Sequence, residues 1–156
     1  LGDVYKRQLF LYGDVGVGKT YLSTCIAKEI INREFSVIYF SAPQLFNTLA
    51  QNTFDKKDVD ARNMSEYIFE CDLLIIDDWL LEQVKPNEAR EIMEVIEARD
   101  RTGSLILCSQ FPPSAWHANL GNGAIADAVI DRVVCKSYTI HIAGEESMRK
   151  RMRGME

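Results

Sequence analysis

Apolar and polar residues fall in blocks along this chain, and the spacing inside each block changes from one to the next. Leu9-Phe10-Leu11-Tyr12 is a short continuous apolar run closed by Gly13, which predicts a buried strand. From Lys19 to Arg33 the apolar positions shift to helical spacing, with Leu22, Ile26 and Ile30 on one face. Ser36-Val37-Ile38-Tyr39-Phe40 predicts a second strand. Pro43 then suits the first turn of a helix whose apolar face is Leu45, Phe46 and Leu49. Residues 52–60 are polar (Asn52, Asp55, Lys56, Lys57, Asp58, Asp60) and predict an exposed loop. A helix over about 61–70 leads into a third strand, Leu73-Leu74-Ile75-Ile76, closed by Asp77-Asp78.

Beyond Pro86, Asn87 is the expected cap of a helix reaching about Arg101, with Ala89, Ile92, Met93 and Ile96 inward and Gly103 as its stop. Leu105-Ile106-Leu107-Cys108 predicts a fourth strand, interrupted by Pro112-Pro113. Short helices over 114–120 and 124–134 precede a fifth strand, Tyr138 to Ile142, and a charged tail. Apolar strands separated by helices predict an α/β fold, a parallel sheet covered on both faces. Leu1 to Gln8, with no methionine at the start, read as a non-native or fragment-derived leader. The expected core is 9–143 and the basic tail 144–156, with no repeat and no second domain.

Composition narrows the partners. Eighteen basic and twenty-three acidic residues leave a net charge of −5, which excludes a general positive coat and leaves room for local basic patches. No apolar run approaches the roughly 18 residues of a membrane helix, so no membrane partner is expected. Three of the four cysteines (Cys25, Cys71, Cys108, Cys135) sit in apolar surroundings and read as buried, reduced thiols of a cytoplasmic protein. His117 and His141, the only histidines, have no zinc-site spacing.

Gly13-Asp14-Val15-Gly16-Val17-Gly18-Lys19-Thr20 fits G-x-x-x-x-G-K-[ST] between a predicted strand and a predicted helix. Glycines let the backbone wrap a phosphate with its N–H groups inward, and the helix that follows adds its positive end. Lys19 reaches the β- and γ-phosphates, the Thr20 hydroxyl suits Mg²⁺, and Tyr21 completes the nucleotide-contact set. The metal needs a carboxylate, and Asp77 stands at the end of a buried strand, where open parallel sheets bind ligands. Asp78 suits the orientation or deprotonation of the attacking water; a helix cap or loop residue is the alternative. The guanine-reading Asn-Lys-x-Asp segment of GTPases is absent, and so is an arginine-rich lid of the small-molecule kinase type. If the fourth strand lies between the P-loop strand and the Asp77 strand, Gln110 at its end faces the γ-phosphate, since its amide both donates and accepts. The alternative is a turn residue before Pro112-Pro113.

With these parts in place, the chain resembles the AAA+ ATPases of the IstB/DnaC group over Leu9 to Met152. Phe10 to Thr20, Val37 to Phe40 and Gln44-Leu45-Phe46 are similar to both branches of the group. Asp77-Asp78-Trp79, Ser109-Gln110 with Trp116-His117, Ile125 to Arg132 and Gly144 to Arg151 are similar to the IstB branch. Leu80 departs from the group, which commonly has glycine there, so a differently shaped loop is expected. The resemblance implies an AAA+ core with sheet order 5-1-4-3-2 sandwiched between helices. It also implies an ATPase using ATP and Mg²⁺, slow unless stimulated by assembly or DNA.

The resemblance further implies that Arg132 is an arginine finger acting on a neighbouring subunit; a surface ion pair with Asp131 or Asp127 is the alternative. Arg149 matches a second sensor arginine, with a plain basic tail as its alternative. Trp116 reads as packing, and His117 is not a catalytic base. By the same resemblance the partners are DNA, further copies of the chain and an IstA-like transposase. The alternatives are a DnaC/DnaI-type loader acting on a replicative helicase, and a nucleotide-gated DNA-binding assembly protein that hardly hydrolyses ATP. Lys56, Lys57 and Arg62, and separately Arg149, Lys150, Arg151 and Arg153, are the candidate basic patches.

Overall fold

The computed structural model describes residues 8–54, 59–144 and 147–153, and side chains throughout these except at 52–54, 59–63, 65, 149 and 152. Five parallel strands, β1 (Gln8–Tyr12), β2 (Val37–Ser41), β3 (Leu73–Asp77), β4 (Ser104–Ser109) and β5 (Ser137–His141), form one sheet in the order β2-β3-β4-β1-β5. Read from the other edge, this is the expected 5-1-4-3-2, with β4 between the P-loop strand and the Asp77 strand. The helices are α1 (Lys19–Asn32), α2 (Ala42–Phe54), α3 (Val59–Glu70), α4 (Pro86–Thr102), α5 (Trp116–Asn119), α6 (Gly123–Lys136) and α7 (Met148–Arg153), with a 3₁₀ turn at Pro113–Ala115.

Alternation along the strands divides the core in two. Leu11, Leu73, Ile75, Ile106 and Cys108 face α1, where Leu22, Ile26 and Ile30 meet them. Phe10, Leu74, Ile76, Leu105 and Leu107 face the other way, toward α2, α3, α4 and α6 through Leu45, Ile68, Ile92, Ile96 and Val129. Because Leu73 and Ile75 face α1, so does Asp77. All five residues of β3 are buried, whereas β5 is an edge strand with Tyr138 and Ile140 exposed.

At the opposite end of the sheet, the buried Arg99 of α4 donates from Nη2 to the carbonyls of Asp72 (3.2 Å) and Ser104 (3.0 Å), joining the starts of β3 and β4. Burial holds its pKa below the usual arginine value. Gly103 follows by necessity of space: a Cβ there would lie 1.8 Å from Arg99 Nη2 and 2.6 Å from the Cys71 carbonyl oxygen.

Several expectations are corrected. Lys85, not Asn87, caps α4: Pro86 occupies the first helical position, and Glu88 accepts the Lys85 N–H at 2.7 Å. The segment expected as one loop at 52–60 is helical at both its ends, with α2 running to Phe54 and α3 starting at Val59. The tail folds back as α7 over Met148–Arg153. Only Cys71 and Cys108 are buried thiols; Cys25 and Cys135 lie on exposed positions of α1 and α6, and all four are free. Trp116 is packing, fully buried edge-on to Phe10 and Trp79, with its indole N–H on the Phe111 carbonyl at 3.1 Å. His117 is exposed, its ring nitrogens facing Asn122 Oδ1 (2.9 Å) and Asp127 Oδ1 (2.7 Å), which raise its pKa. Among the described residues, no helix is long and apolar enough to cross a membrane.

Candidate nucleotide-binding site

Residues 13–18 connect β1 to α1 at the carboxyl ends of the strands. Their glycines answer two different constraints. Gly16 holds φ +83, in the left-handed region that favours glycine. Gly13 leaves room for the chain leaving β5, since a Cβ there would lie 2.1 Å from the Ile142 carbonyl oxygen. Lys19, in the first turn of α1, is buried, and its Nζ donates to the Gly13 and Asp14 carbonyls at 2.6 and 2.7 Å. Burial lowers its pKa, and the nearby Asp77 charge opposes that shift. An ammonium with little solvent is well placed to receive a polyanion.

The Thr20 hydroxyl donates to Asp77 Oδ2 at 2.6 Å, so the start of α1 and the end of β3 meet directly. Asp77 is only 6% exposed, and its Oδ1 accepts the Asp78 N–H at 2.9 Å. The tips of β3 and β4 are locked together. The Trp79 N–H donates to the Cys108 carbonyl at 2.8 Å, and the Ser109 hydroxyl donates to the Trp79 carbonyl at 2.8 Å. Beneath them the Cys108 thiol is pushed up to about 12, by burial first and then by the Asp77 charge, and stays protonated.

A cavity of about 810 Å³ opens above these groups. Val15, Gly16, Gly18, Lys19, Thr20, Tyr21, Asp77, Asp78 and Gln110 all line it, so most of the residues selected from sequence converge on one space. Gly13 and Asp14 contribute carbonyls to Lys19, and Val17 packs beside Gly13. No helix starts at Asp78, because α4 begins at Pro86; a cap is therefore excluded and the turn position stands.

The sequence profile of the IstB-like ATP binding protein family matches residues 4–155. The chain belongs to that family. It is 34% identical over 145 residues to a putative insertion sequence ATP-binding protein of Sinorhizobium fredii, covering 93% of this chain and 58% of the relative. A putative ATP-binding protein in an insertion sequence of Mycobacterium tuberculosis is 29% identical, over 94% of this chain and 57% of its own length. The chain thus spans a little over half the length of these curated relatives. In fold it is similar to DnaI (TM-score 0.72, 23% identity, 90% of this chain and 75% of that one). It is likewise similar to AMPPCP-bound DnaA from Aquifex aeolicus (TM-score 0.70, 24% identity, 99% and 46%). The architecture is a P-loop AAA+ α/β core.

Arg132, singled out for this IstB-like chain as a residue acting on a neighbouring copy, is not among the residues that line this cavity. Arg132 lies on α6 and is paired with Glu97 of α4, next to the Met93 sulfur, rather than with Asp131 or Asp127. Asp131 instead accepts from the Cys135 thiol, and Asp127 meets His117. The backbone of Arg149 belongs to α7, and its side chain lies outside the described residues. Lys56 and Lys57 lie outside them too, as does the side chain of Arg62.

Sequence reasoning missed several contributors, Thr24 and Leu81 of the cavity lining among them. Met148 lines the cavity and its N–H donates to the Gly16 carbonyl at 2.8 Å; a Cβ on Gly16 would meet Ser147 Oγ at 2.3 Å. Cys108 forms part of the floor. Tyr39 donates its hydroxyl to Asp77 Oδ2 at 2.7 Å, and burial together with that bond raises the phenol pKa, keeping it a donor. The alternation Val37, Tyr39, Ser41 beside the Asp77 strand was the one signal available for it.

Proposed function

We propose that this chain is the nucleotide-binding core of an IstB-like ATPase that binds ATP with Mg²⁺, assembles on DNA and assists insertion-sequence transposition. The observation that carries this reading is the meeting of Lys19, Thr20 and Asp77 in one cavity at the sheet's carboxyl end. The donor set fits Mg²⁺, which favours hard oxygen ligands: a carboxylate and a hydroxyl sit side by side. The cavity has the capacity for a nucleotide, and Val15, Gly16 and Gly18 of the loop line it.

When bound, the metal supplies charge neutralisation and orientation of the triphosphate. Lys19 exchanges its two loop carbonyls for phosphate oxygens, which relieves the cost of its burial. Thr20 and Asp77 hold the cation's oxygen shell. Asp78, on the exposed turn, accepts the proton of the attacking water, and Gln110 orients the γ-phosphate. Arg132, released from Glu97, serves the nucleotide of an adjacent copy. Arg149 approaches the γ-phosphate of its own chain, as the return of α7 to Gly16 suggests.

The test is ATP binding by the wild type and Lys19→Ala, paired with phosphate release with and without DNA. Binding that falls about 100-fold or more in Lys19→Ala supports the site; equal binding refutes it. Equal and negligible phosphate release in wild type and Asp78→Asn, with DNA or without, favours the nucleotide-gated assembly protein instead. The insertion-sequence names of the relatives favour a transposase of the IstA kind as partner over a replicative helicase, and copurification separates the two.

A further inference from the structure

Tyr39 has no part in the chemistry above, yet it touches the carboxylate on which that chemistry turns. It stands on β2, where its register partner in β3 is Ile75, and Ser41 two residues later pairs with Asp77. Strand alternation therefore puts the Tyr39 side chain on the same face of the sheet as Asp77 and α1. Although 45% of the residue is exposed, the phenol oxygen is turned inward, 2.7 Å from Asp77 Oδ2.

Three donors from three places fix this carboxylate: Tyr39 on β2 and Thr20 on α1 share Oδ2, and the Asp78 N–H holds Oδ1. The two hydroxyls differ in what else is asked of them. Thr20 faces the cavity and serves the cation as well as Asp77. Tyr39 does not line the cavity and reaches Asp77 from the β2 side, so no ligand group in the cavity is placed to compete for its hydroxyl. When a cation takes up Thr20, the Tyr39 hydroxyl on Oδ2 and the Asp78 N–H on Oδ1 are the two donors left to fix the terminal torsion of the carboxylate, one on each oxygen.

We propose that Tyr39 is a positioning residue for the metal half of the site, its hydroxyl holding Asp77 in the orientation that presents the carboxylate to a Thr20-bound divalent cation. The assignment rests on the nucleotide-binding reading above. It makes an edge strand outside the P-loop a contributor to cation-dependent nucleotide binding. Partners of metal-ligating groups typically matter 10–100-fold in metal affinity, and a half-exposed phenol belongs at the lower end of that range.

The experiment titrates Mg²⁺ into the full 156-residue chain with a fluorescent ATP analogue, and repeats the binding in excess chelator, for wild type, Tyr39→Phe and Lys19→Ala. For Tyr39→Phe the expected result is a Mg²⁺ half-saturation raised about 10-fold, with chelator-phase affinity within about twofold of wild type. An unchanged half-saturation overturns the assignment. So does an equal loss of affinity in Mg²⁺ and in chelator, which is what damaged folding produces; a nucleotide-free thermal melt identifies that case. Wild type that binds the analogue in neither condition, or Lys19→Ala that binds as wild type does, overturns the nucleotide reading and the Tyr39 role with it. Wild type that binds, Lys19→Ala that does not, and Tyr39→Phe that titrates like wild type overturn the Tyr39 role alone.

Discussion

Leu80 shows how a single side chain settles a conflict between backbone and burial. Its φ of +52 lies in the left-handed region that costs an ordinary residue about 1–2 kcal/mol, yet it is 2% exposed in the larger core cluster. Truncating such a leucine typically costs about 2–5 kcal/mol, so burial outweighs the strain. Gly103 poses the reverse problem, a relaxed backbone in a space with no room for a methyl group. Gly103→Ala is expected to cost about 1–3 kcal/mol by overpacking against Arg99 and the Cys71 carbonyl, a fall of about 2–12 °C in Tm. Calorimetry of the two chains checks it, and an unchanged Tm would show that Arg99 is not held where it joins β3 to β4. The motif positions at this scale were legible, since Gly13 to Thr20 and Asp77 are marked by residue type and spacing. Tyr39 was not, because a tyrosine in a strand reads as ordinary strand filler until the neighbouring strand's register is known.

Between elements, α6 and α4 are joined by an ion pair as well as by packing. Arg132 reaches across to Glu97, with both side chains partly exposed, and pairs of this kind contribute no more than about 1 kcal/mol. Arg132→Ala should therefore leave the Tm within a few degrees of wild type and leave ATP binding intact. If the arginine acts on a neighbouring subunit, DNA-stimulated phosphate release falls about 10³-fold, while Glu97→Ala, which only frees the guanidinium, retains it. Normal turnover in Arg132→Ala would remove the finger assignment and leave a surface ion pair. Strand positions and helix spans were readable from block periodicity because β3 and β4 are continuous apolar runs and α1 and α4 are amphipathic, whereas the order of strands in the sheet followed from the family resemblance. The α4 cap was misplaced by two residues because Asn is a strong cap type. Local sequence could not show that Glu88 would turn back to the Lys85 N–H.

For the whole molecule, an acidic chain that engages DNA must do so through local charge. Lys150, Arg151 and Arg153 are exposed on α7, whose start rests on the P-loop at Gly16, so one candidate patch adjoins the nucleotide cavity. Repetition of a weak patch around an assembly raises affinity through avidity. DNA affinity is expected to fall steeply with salt, and removing Lys150 and Arg153 together should flatten the slope of log affinity against log salt by about 1.8 per engaged subunit. Filter binding or anisotropy across a salt series measures this. A slope indifferent to both salt and the double substitution would exclude phosphate contact by α7.

The amino-acid order alone determined the class of fold, the phosphate loop and the carboxylate that answers it, because those depend on local periodicity and on short-range spacing. Tertiary structure decided which groups meet. It brought Thr20 and Tyr39 to one oxygen of Asp77, folded the tail back onto Gly16, and engaged Arg132 with Glu97. Those contacts join residues 35 to 132 positions apart. At such separations neighbours are set by sheet register and helix packing, which no local pattern encodes.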